Sequence, residues 1–393
     1  MRVAMIAACP FPWPRGTPVR IHRMAEALAG RGHDVQMVTY HIGEKLSPLP
    51  FAVHRIRDIS GYTDCEPGPH LRKLLQLDPL LAMTLRRLLR SQSFDVIHAH
   101  HYEGLLTALA ATAPKRRLPI IFDAHTLLAS ELPYYPIGVP RIAKEWIGSF
   151  LDEHLPRRAD HVIAVSASIR STLIAAGRVD ERRISVIPNG VETEHFAASN
   201  SSPSPIRKGR RLAFAGNLAA YQGVDLLLQA FSIVRRQLDD VRLMILTDSD
   251  FAEYVPMAES LGIHASIDVL SPGYAKLPTY LHDADILLNP RPACDGIPQK
   301  LLNYMAAGRP IVSFAGSGKI IEHERTGLLA ADGDVQSFAD ATLRLFSQPE
   351  FAARLGANAR ALATKDYGWA RVAANVEAVY EGVLADYRTH GNA

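Results

Sequence analysis

The sequence predicts two doubly wound α/β domains joined by a linker, and three observations carry that expectation. Short apolar runs of strand length alternate with segments of helical periodicity through both halves of the chain, the pattern of parallel sheets covered by helices. Between the halves, residues 197–210 contain Ser-Asn-Ser-Ser-Pro-Ser-Pro followed by Arg-Lys-Gly-Arg-Arg, with no apolar periodicity until Leu212; this is linker composition. The length, 393 residues, exceeds what one hydrophobic core of ordinary size occupies.

In the first half, residues 2–8 read as a buried strand and 10–16 as a loop. Thr17 suits a helix cap with Pro18 in the first turn, and Ile21, Met24, Ala25 and Leu28 share one face. Gly30 and Gly32 stop that helix ahead of a strand over 34–39, giving a right-handed strand-helix-strand unit. Further strands are expected at 94–98, 119–123, 161–165 and 184–187, and in the second half near 212–215, 242–246, 267–270, 284–289 and 310–314, with only helices after Val335. The expected domains are 1–196 and 211–368, followed by a closing helical segment, 369–393.

Apolar and charged fractions of 48% and 21% are those of an ordinary soluble protein, and no apolar run approaches the ~18 residues that span a bilayer. The short apolar start is followed by Cys9-Pro10-Phe11-Pro12-Trp13, not by a small-residue cleavage site, so a first strand is expected there and not a signal peptide. Cys9, Cys65 and Cys294 are few and scattered, which points to a reducing, cytoplasmic compartment without a disulfide or metal framework. Residues 1–196 hold 24 Lys+Arg against 19 Asp+Glu and twelve of the sixteen His, leaving 19 against 21 for the remainder. The amino-terminal half is therefore the one expected to meet an anionic partner such as a membrane surface, and no nucleic-acid partner is expected. Residues 72–90 are basic and amphipathic, which suits anionic lipid headgroups and equally suits a helix covering a sheet.

The densest chemistry lies in residues 295–310, Asp295-Gly296-Ile297-Pro298-Gln299-Lys300-Leu301-Leu302-Asn303-Tyr304-Met305-Ala306-Ala307-Gly308-Arg309-Pro310. Pro298 suits the first turn of a helix. Leu301, Leu302, Met305 and Ala306 would face a core with Lys300 and Asn303 on the other face, and Gly308 would end the helix. The start of such a helix offers unpaired N–H groups and partial positive charge to a phosphate.

This segment resembles the signature of the retaining glycosyltransferases of family 4: an acidic residue, Gly, an apolar residue, and eight positions beyond the first acid a Glu ahead of Ala-Met-Ala-x-Gly-x-Pro. Asp295 stands for the first acid and Asn303 for the Glu. Further landmarks of the same pattern occur in order: Gly32-His33-Asp34-Val35, Asp95 to His100, Ile187-Pro188-Asn189-Gly190-Val191, Gly223-Val224-Asp225, Ala284-Asp285-Ile286 and Thr326-Gly327-Leu328-Leu329. The resemblance covers nearly the whole chain. It implies two facing Rossmann-like doubly wound domains (GT-B), the last helix crossing back to the first. It implies metal-independent, retaining transfer of a hexose from a UDP- or GDP-sugar donor to a glycan, lipid-linked or small-molecule acceptor, without a cofactor, in polysaccharide or metabolite biosynthesis. A peripheral position at the inner face of the membrane is consistent with it.

By the same resemblance, Asp295 would accept hydrogen bonds from donor-sugar hydroxyls, and the backbone after Gly296, at Ile297 and Pro298, would hold the distal phosphate. Asn303 would meet the ribose, and Gly273 and Tyr274 the base. Gly16 would let a ligand approach the backbone closely. His125, in Phe122-Asp123-Ala124-His125, would border donor sugar and acceptor and orient or deprotonate the acceptor hydroxyl. Glu131, Tyr134 and Tyr135 would shape the acceptor side. Where the family places an Arg after a Gly, and a Lys before Gly-Val-Asp, this chain has Asn217 and Gln222; nearby Arg291 and Lys300 are expected to supply the lost charge. His98, His100 and His101 do not show zinc spacing, and no carboxylate or Cys is expected to complete a metal set. Asp248-Ser249-Asp250 mimics the metal-binding acidic pair of another glycosyltransferase fold, but the surrounding pattern belongs to the metal-independent kind. Two rivals stand beside the transferase: a nucleotide-sugar-binding pseudoenzyme, suggested by Asn217, Gln222 and Asn303, and a nucleotide-sugar epimerase, which would lack the loop-helix motif.

Overall fold

Apolar runs long enough to be buried on both faces become the central strands of two parallel sheets. The computed structural model describes residues 1–12, 16–44, 48–64, 72–114, 118–135, 138–175, 179–197, 209–294 and 296–390. These residues form two units, Met1–Asn189 with Trp369–Ala393, and Gly190–Gly368.

The first unit holds β1 (Arg2–Ala7), β2 (Asp34–Thr39), β3 (Ala52–Arg55), β4 (Val96–His100), β5 (Ile120–Ala124), β6 (His161–Ala164) and β7 (Ile184–Val186). They make a parallel sheet in the order β3-β2-β1-β4-β5-β6-β7. Its helices are α1 (Gly16–Gly30), α2 (Asp78–Ser91), α3 (His101–Thr112), α4 (Leu128–Glu131), α5 (Arg141–His154) and α6 (Ala167–Ala175). All five residues of β4 and β5 are buried, as expected for strands covered on both faces. One face packs against Leu81, Leu85 and Leu105 of α2 and α3, the other against Ile21 and Met24 of α1 with Val372 and Val376 near the carboxyl end.

The basic stretch at 72–90 resolves into a helix that covers the sheet. A π-type turn at Lys73–Leu77 leads into α2, whose Leu81, Leu85 and Leu88 are buried. Arg86 donates to the carbonyls of Ala110, Ala111 and Ala113 at the end of α3. The buried leucines of α2 are thus spent on the core, as in a helix that covers a sheet. Helix α1 already begins at Gly16, which places Thr17 inside the first turn and not at the cap.

In the second unit β8 (Arg210–Ala215), β9 (Val241–Leu246), β10 (Ile267–Leu270), β11 (Ile286–Asn289), β12 (Ile311–Phe314) and β13 (Leu328–Ala330) form a parallel sheet ordered β10-β9-β8-β11-β12-β13. Its helices are α7 (Thr193–Ala197), α8 (Val224–Gln237), α9 (Val255–Ser260), α10 (Gly273–Asp283), α11 (Gln299–Ala307), α12 (Val335–Ser347) and α13 (Pro349–Leu362), after which α14 (Trp369–His390) returns to the first unit.

The boundary departs from the sequence expectation. Phe196 of α7 is buried with Ala213, Leu281 and Met305 of the second unit, so the division falls at Gly190 and not at 197–210. Residues 198–208 of the expected linker lie outside the described residues.

Both sheets reverse their winding direction once, between β1 and β4 and between β8 and β11. Ligands of such sheets bind beyond the carboxyl ends of the strands at that reversal. The segments that follow β4, β5, β8 and β11 carry His101, the first residue of α3, and His125, Asn217 and Arg291.

Candidate active site

In the second unit, the loop after β8 and the start of α11 meet. Gly216 follows β8 at φ 148, and a Cβ there would lie 3.4 Å from Lys300 Nζ and 3.5 Å from the Phe214 ring, so the glycine leaves room for Lys300. Lys300 Nζ lies 4.2 Å from the centre of the Phe214 ring and donates to Gln222 Oε1 at 2.6 Å. Gln222 Nε2 in turn donates to Asn217 Oδ1 at 3.2 Å, and Asn217 Nδ2 donates to the Tyr221 hydroxyl at 3.1 Å. Lys300 therefore reaches Gln222 directly and Asn217 through it, the two positions at which the sequence lacks the expected cations. Burial, and then the neighbouring Arg291 guanidinium, lower its pKa to about 7.

Arg291 stacks on the Tyr221 ring at 4.8 Å and donates from Nε to the Ala293 carbonyl at 2.8 Å, so the second candidate cation belongs to the same corner. The corner is held by a glycine. Gly223 has φ 71, and a Cβ there would lie 2.3 Å from the Pro290 carbonyl oxygen. Gly223→Ala is expected to cost about 1–3 kcal/mol of stability and to displace the chain just ahead of Arg291, readable as a lower midpoint in urea denaturation.

Helix α11 begins after Pro298, and no side chain among the described residues caps it, so among those residues the N–H groups of its first turn have no capping side chain. Gly296 and Ile297 are partly buried and Pro298 is buried. Gln299 ties the helix start to the Gly190 carbonyl at 3.0 Å. Leu301, Leu302, Met305 and Ala306 are buried as expected, but Asn303 is 9% exposed and Lys300 is partly buried, so the opposite face is not an open solvent face. The Asn303 amide makes no side-chain hydrogen bond among the described residues. Asp295 lies outside the described residues. Gly273 opens α10, and Tyr274 stacks on His195 at 4.9 Å while its hydroxyl bonds Glu192.

In the first unit, His125 follows β5 and sits in a buried polar cluster that local sequence pattern did not reveal. Asp123, within an otherwise apolar strand, takes a bidentate contact from Arg20 of α1, with Nη2 3.2 Å and 3.0 Å from its two oxygens. Both side chains are almost fully buried. Arg20 also donates to the carbonyls of Ile187 and Pro188 and to Asn189 Oδ1. A charged residue inside a buried strand demands such a partner, and that demand was the available signal. Burial raises the Asp123 pKa, but Arg20, then His125 and His100, outweigh it and hold it well below the carboxylate range.

His125 Nε2 lies 3.1 Å from His100 Nδ1 and 3.7 Å from Asp123 Oδ1. Its ring stacks on His101 at 4.3 Å, whose φ of 60 is a strained backbone of the kind that gathers at functional sites. Burial is the largest influence on His125, with Asp123 opposing and His101 and Arg20 assisting, and its pKa falls well below 6.5. His100 falls to about 3, first by burial and then by His98. At neutral pH these imidazoles are neutral hydrogen-bonding groups.

The expectation that no carboxylate joins the histidines is corrected here. One atom each of His98, His100 and Asp123 lies within 4.8 Å of the others, a spacing that a metal ion could use. The Arg20 guanidinium, however, already occupies both oxygens of that carboxylate, and a cation would have to displace it. His98 Nδ1 is meanwhile engaged with the Tyr380 hydroxyl at 2.6 Å.

On the expected acceptor side, Tyr135 donates to Glu131 Oε2 at 3.1 Å, and Lys144 donates to the Tyr135 carbonyl at 2.5 Å. Tyr134 is 78% exposed. Helix α5 packs closely on α4, since a Cβ on Gly148 would lie 2.7 Å from Ala129 backbone atoms. Its outer face exposes Ile142 (81%), Trp146 (68%) and Phe150 (45%) at four-residue spacing.

Tandem doubly wound domains, with polar clusters at the winding reversals of both sheets, define a GT-B glycosyltransferase, and solved structures of that architecture match it. A sucrose-phosphate synthase from Thermosynechococcus elongatus aligns with a TM-score of 0.78 and 17% identity over 98% of this chain and 99% of its own. Residues 14–195 match the family described as Glycosyltransferase Family 4 and residues 209–348 that described as Glycosyl transferases group 1; the chain belongs to glycosyltransferase family 4. The phosphatidyl-myo-inositol mannosyltransferase of Mycobacterium leprae is 26% identical over 98% of this chain and 97% of its own length. The GDP-mannose-dependent alpha-(1-6)-phosphatidylinositol monomannoside mannosyltransferase of Mycobacterium tuberculosis is 25% identical over 76% of this chain and 78% of its own.

Proposed function

We propose that this glycosyltransferase takes a hexose from a UDP- or GDP-sugar and passes it, with retention of anomeric configuration and without a metal, to a glycan, lipid-linked or small-molecule acceptor. The observation that carries this reading is the corner formed by Lys300, Gln222, Asn217 and Arg291 beside the uncapped start of α11. It offers a diphosphate two cations and a helix N-terminus in place of the Arg and Lys that the family pattern would supply. Asp295, Gly296 and Ile297 take the sugar and distal phosphate in this reading, Asn303 the ribose, Gly273 and Tyr274 the base, and Gly16 lies near the bound ligand.

His125 acts as a neutral hydrogen-bonding group on the reacting partners; its depressed pKa makes it a weak base, so orienting the acceptor is its main work. Glu131, Tyr134 and Tyr135 belong to the acceptor side. A lipid-borne acceptor, and with it peripheral contact between the first unit and a membrane, is supported by the exposed Ile142, Trp146 and Phe150 of α5, side chains that favour the interfacial zone of a bilayer. Among the described residues, no helix is long and apolar enough to cross a membrane.

The test is turnover with UDP-, GDP- and ADP-sugars in the presence of chelator. Free nucleoside diphosphate is expected only when acceptor is present, with the α-configured sugar of an α-donor retained in the product, and with higher turnover on a vesicle-borne acceptor than on its soluble headgroup. A chelator that abolishes turnover would contradict metal independence. Binding of a nucleotide sugar without transfer to any acceptor would favour the pseudoenzyme.

A further inference from the structure

A neutral imidazole carries one N–H and one lone pair, so it donates at one nitrogen and accepts at the other. Burial keeps His100 and His125 neutral at neutral pH. Which nitrogen of each ring holds the proton then decides what His125 can do, and the groups around the cluster fix it ring by ring.

Asp123 is engaged by the Arg20 guanidinium, and as a carboxylate it can only accept. His98 turns Nε2 towards Asp123 Oδ2 at 3.6 Å and Nδ1 towards the Tyr380 hydroxyl at 2.6 Å. The proton facing the carboxylate therefore sits on Nε2, and the Tyr380 hydroxyl donates to Nδ1. His100 stacks on His98 with ring centres 4.4 Å apart. Its Nδ1 lies 3.4 Å from the same Asp123 Oδ2 and 3.1 Å from His125 Nε2. Its Nε2 is sealed from solvent and has no partner among the described residues.

A proton on His100 Nε2 would be a buried donor with nothing to donate to, and it would leave the Nδ1 lone pair facing a carboxylate. A proton on Nδ1 lies beside the negative charge and along the contact to His125, and leaves only an unpartnered lone pair at Nε2, the milder defect. His125 Nε2 then receives the His100 N–H, and the His125 proton is displaced to Nδ1. Asp123 Oδ1 is 3.7 Å from His125 Nε2, farther than Oδ2 is from His100 Nδ1, so the carboxylate also favours the proton on the His100 side. His125 Nδ1 has no partner among the described residues and, unlike His100 Nε2, is not sealed from solvent. A proton there strands no buried group.

We infer that His100 is a positioning residue that locks His125 as its Nδ1–H tautomer, so that His125 gives a hydrogen bond to an oxygen of the bound sugar substrates and takes no proton from one. The role towards substrate rests on the transferase reading; the tautomer does not. Nuclear magnetic resonance of the full chain labelled with ¹⁵N-histidine reads it directly at neutral pH, because protonated and unprotonated ring nitrogens resonate far apart, and His125→Gln identifies the His125 signals. The wild type without substrate should show a protonated Nδ1 and an unprotonated Nε2 at His125. A protonated Nε2, or an averaged mixture of both forms, overturns the inference whether or not the chain transfers sugar. The expected tautomer in a chain that transfers no sugar supports the lock and counts against the transferase reading instead.

Two variants test His100 itself. His100→Asn keeps an N–H donor near the place of Nδ1, and His100→Phe removes it. The Asn variant should retain the Nδ1–H form of His125 and recover the larger share of turnover. The Phe variant should lose the single form, with turnover lowered roughly tenfold to a hundredfold and donor affinity kept. A purely structural His100 would make both variants fail alike, and a Phe variant that still shows only the Nδ1–H form would overturn the positioning role. If the Phe variant does not fold, the wild-type and Asn spectra decide: loss of the Nδ1–H form in the Asn variant overturns the lock, and its retention supports it.

Discussion

Lys300→Met is expected to weaken donor binding by roughly tenfold to a hundredfold and to leave the protein no less stable than before. Two physical facts give that combination. A charged donor to a phosphate is worth about 1.5–3 kcal/mol, and Lys300 with its bond to Gln222 at 2.6 Å stands beside a position where the family pattern would place a phosphate-facing cation. The same ammonium is costly to the fold, because burial and the Arg291 charge bring its pKa down to about 7. In the unfolded chain it titrates near ~10.4. Between those two pH values the unfolded state binds more protons than the folded state, so stability rises with pH across that window. The cost is complete below about pH 7 and is relieved above it, and the Met variant has no such dependence. Donor affinity should follow the opposite course in the wild type, falling as pH rises through the region of the Lys300 pKa, while in the variant it is weak and flat. Calorimetry with the donor across this range, beside urea denaturation at the same pH values, reads both effects. Unchanged donor affinity in Lys300→Met would assign the residue to packing under Phe214 alone.

His125→Ala should lower turnover by about a hundredfold with little change in donor affinity, an effect in the usual range for a positioned acid-base or hydrogen-bonding group. Because burial holds the His125 pKa well below 6.5, the imidazole is neutral through the physiological range. The pH dependence of turnover should therefore show no ionisation near the ordinary histidine value, and activity should fall only at more acidic pH, where the ring becomes charged. A limb near 6.5 that disappears in His125→Ala would mean that a normally titrating base does the work. Asp123 is the wrong place for this test. Removing it would leave Arg20 buried without its counter-ion, an expected cost of about 3–5 kcal/mol, and a loss of activity would then report on the fold.

Much of the architecture was readable because the central strands are covered on both faces. Val3 to Ala7, Ile120 to Phe122 and Ile286 to Leu288 are continuous apolar runs with nothing to confuse them. The edge strand β3, Ala52-Val53-His54-Arg55, is half exposed and mixed in character, and β13 is three residues long; neither has a pattern distinguishable from a loop. The unit boundary was missed for a related reason. Phe196 looks like the end of the first domain in sequence, and only its burial against Leu281 and Met305 assigns it to the second.

The site was legible in parts. The start of α11, the Gly308 stop with φ 70 and the loop position of His125 follow from local rules. What local rules could not show is that the helix face bearing Lys300 meets the loop after β8, which encloses the ammonium against Phe214 and Gln222. The Arg20–Asp123 pair joins residues 103 positions apart, and His98 meets Tyr380 across 282 positions. Periodicity carries no information about contacts at that separation. Helix α2 illustrates the converse, since its basic, amphipathic sequence fits a lipid surface and a sheet cover alike, and only the burial of Leu81, Leu85 and Leu88 shows that it covers the sheet.

The account rests on a diphosphate seated against Lys300 at the start of α11. Calorimetric titration of the wild type and Lys300→Met with UDP-, GDP- and ADP-sugars addresses it most directly. The account predicts saturable binding of at least one of these donors to the wild type, weakened tenfold or more in the variant. Equal affinity in both proteins, or binding of none of the donors to the wild type, would contradict it.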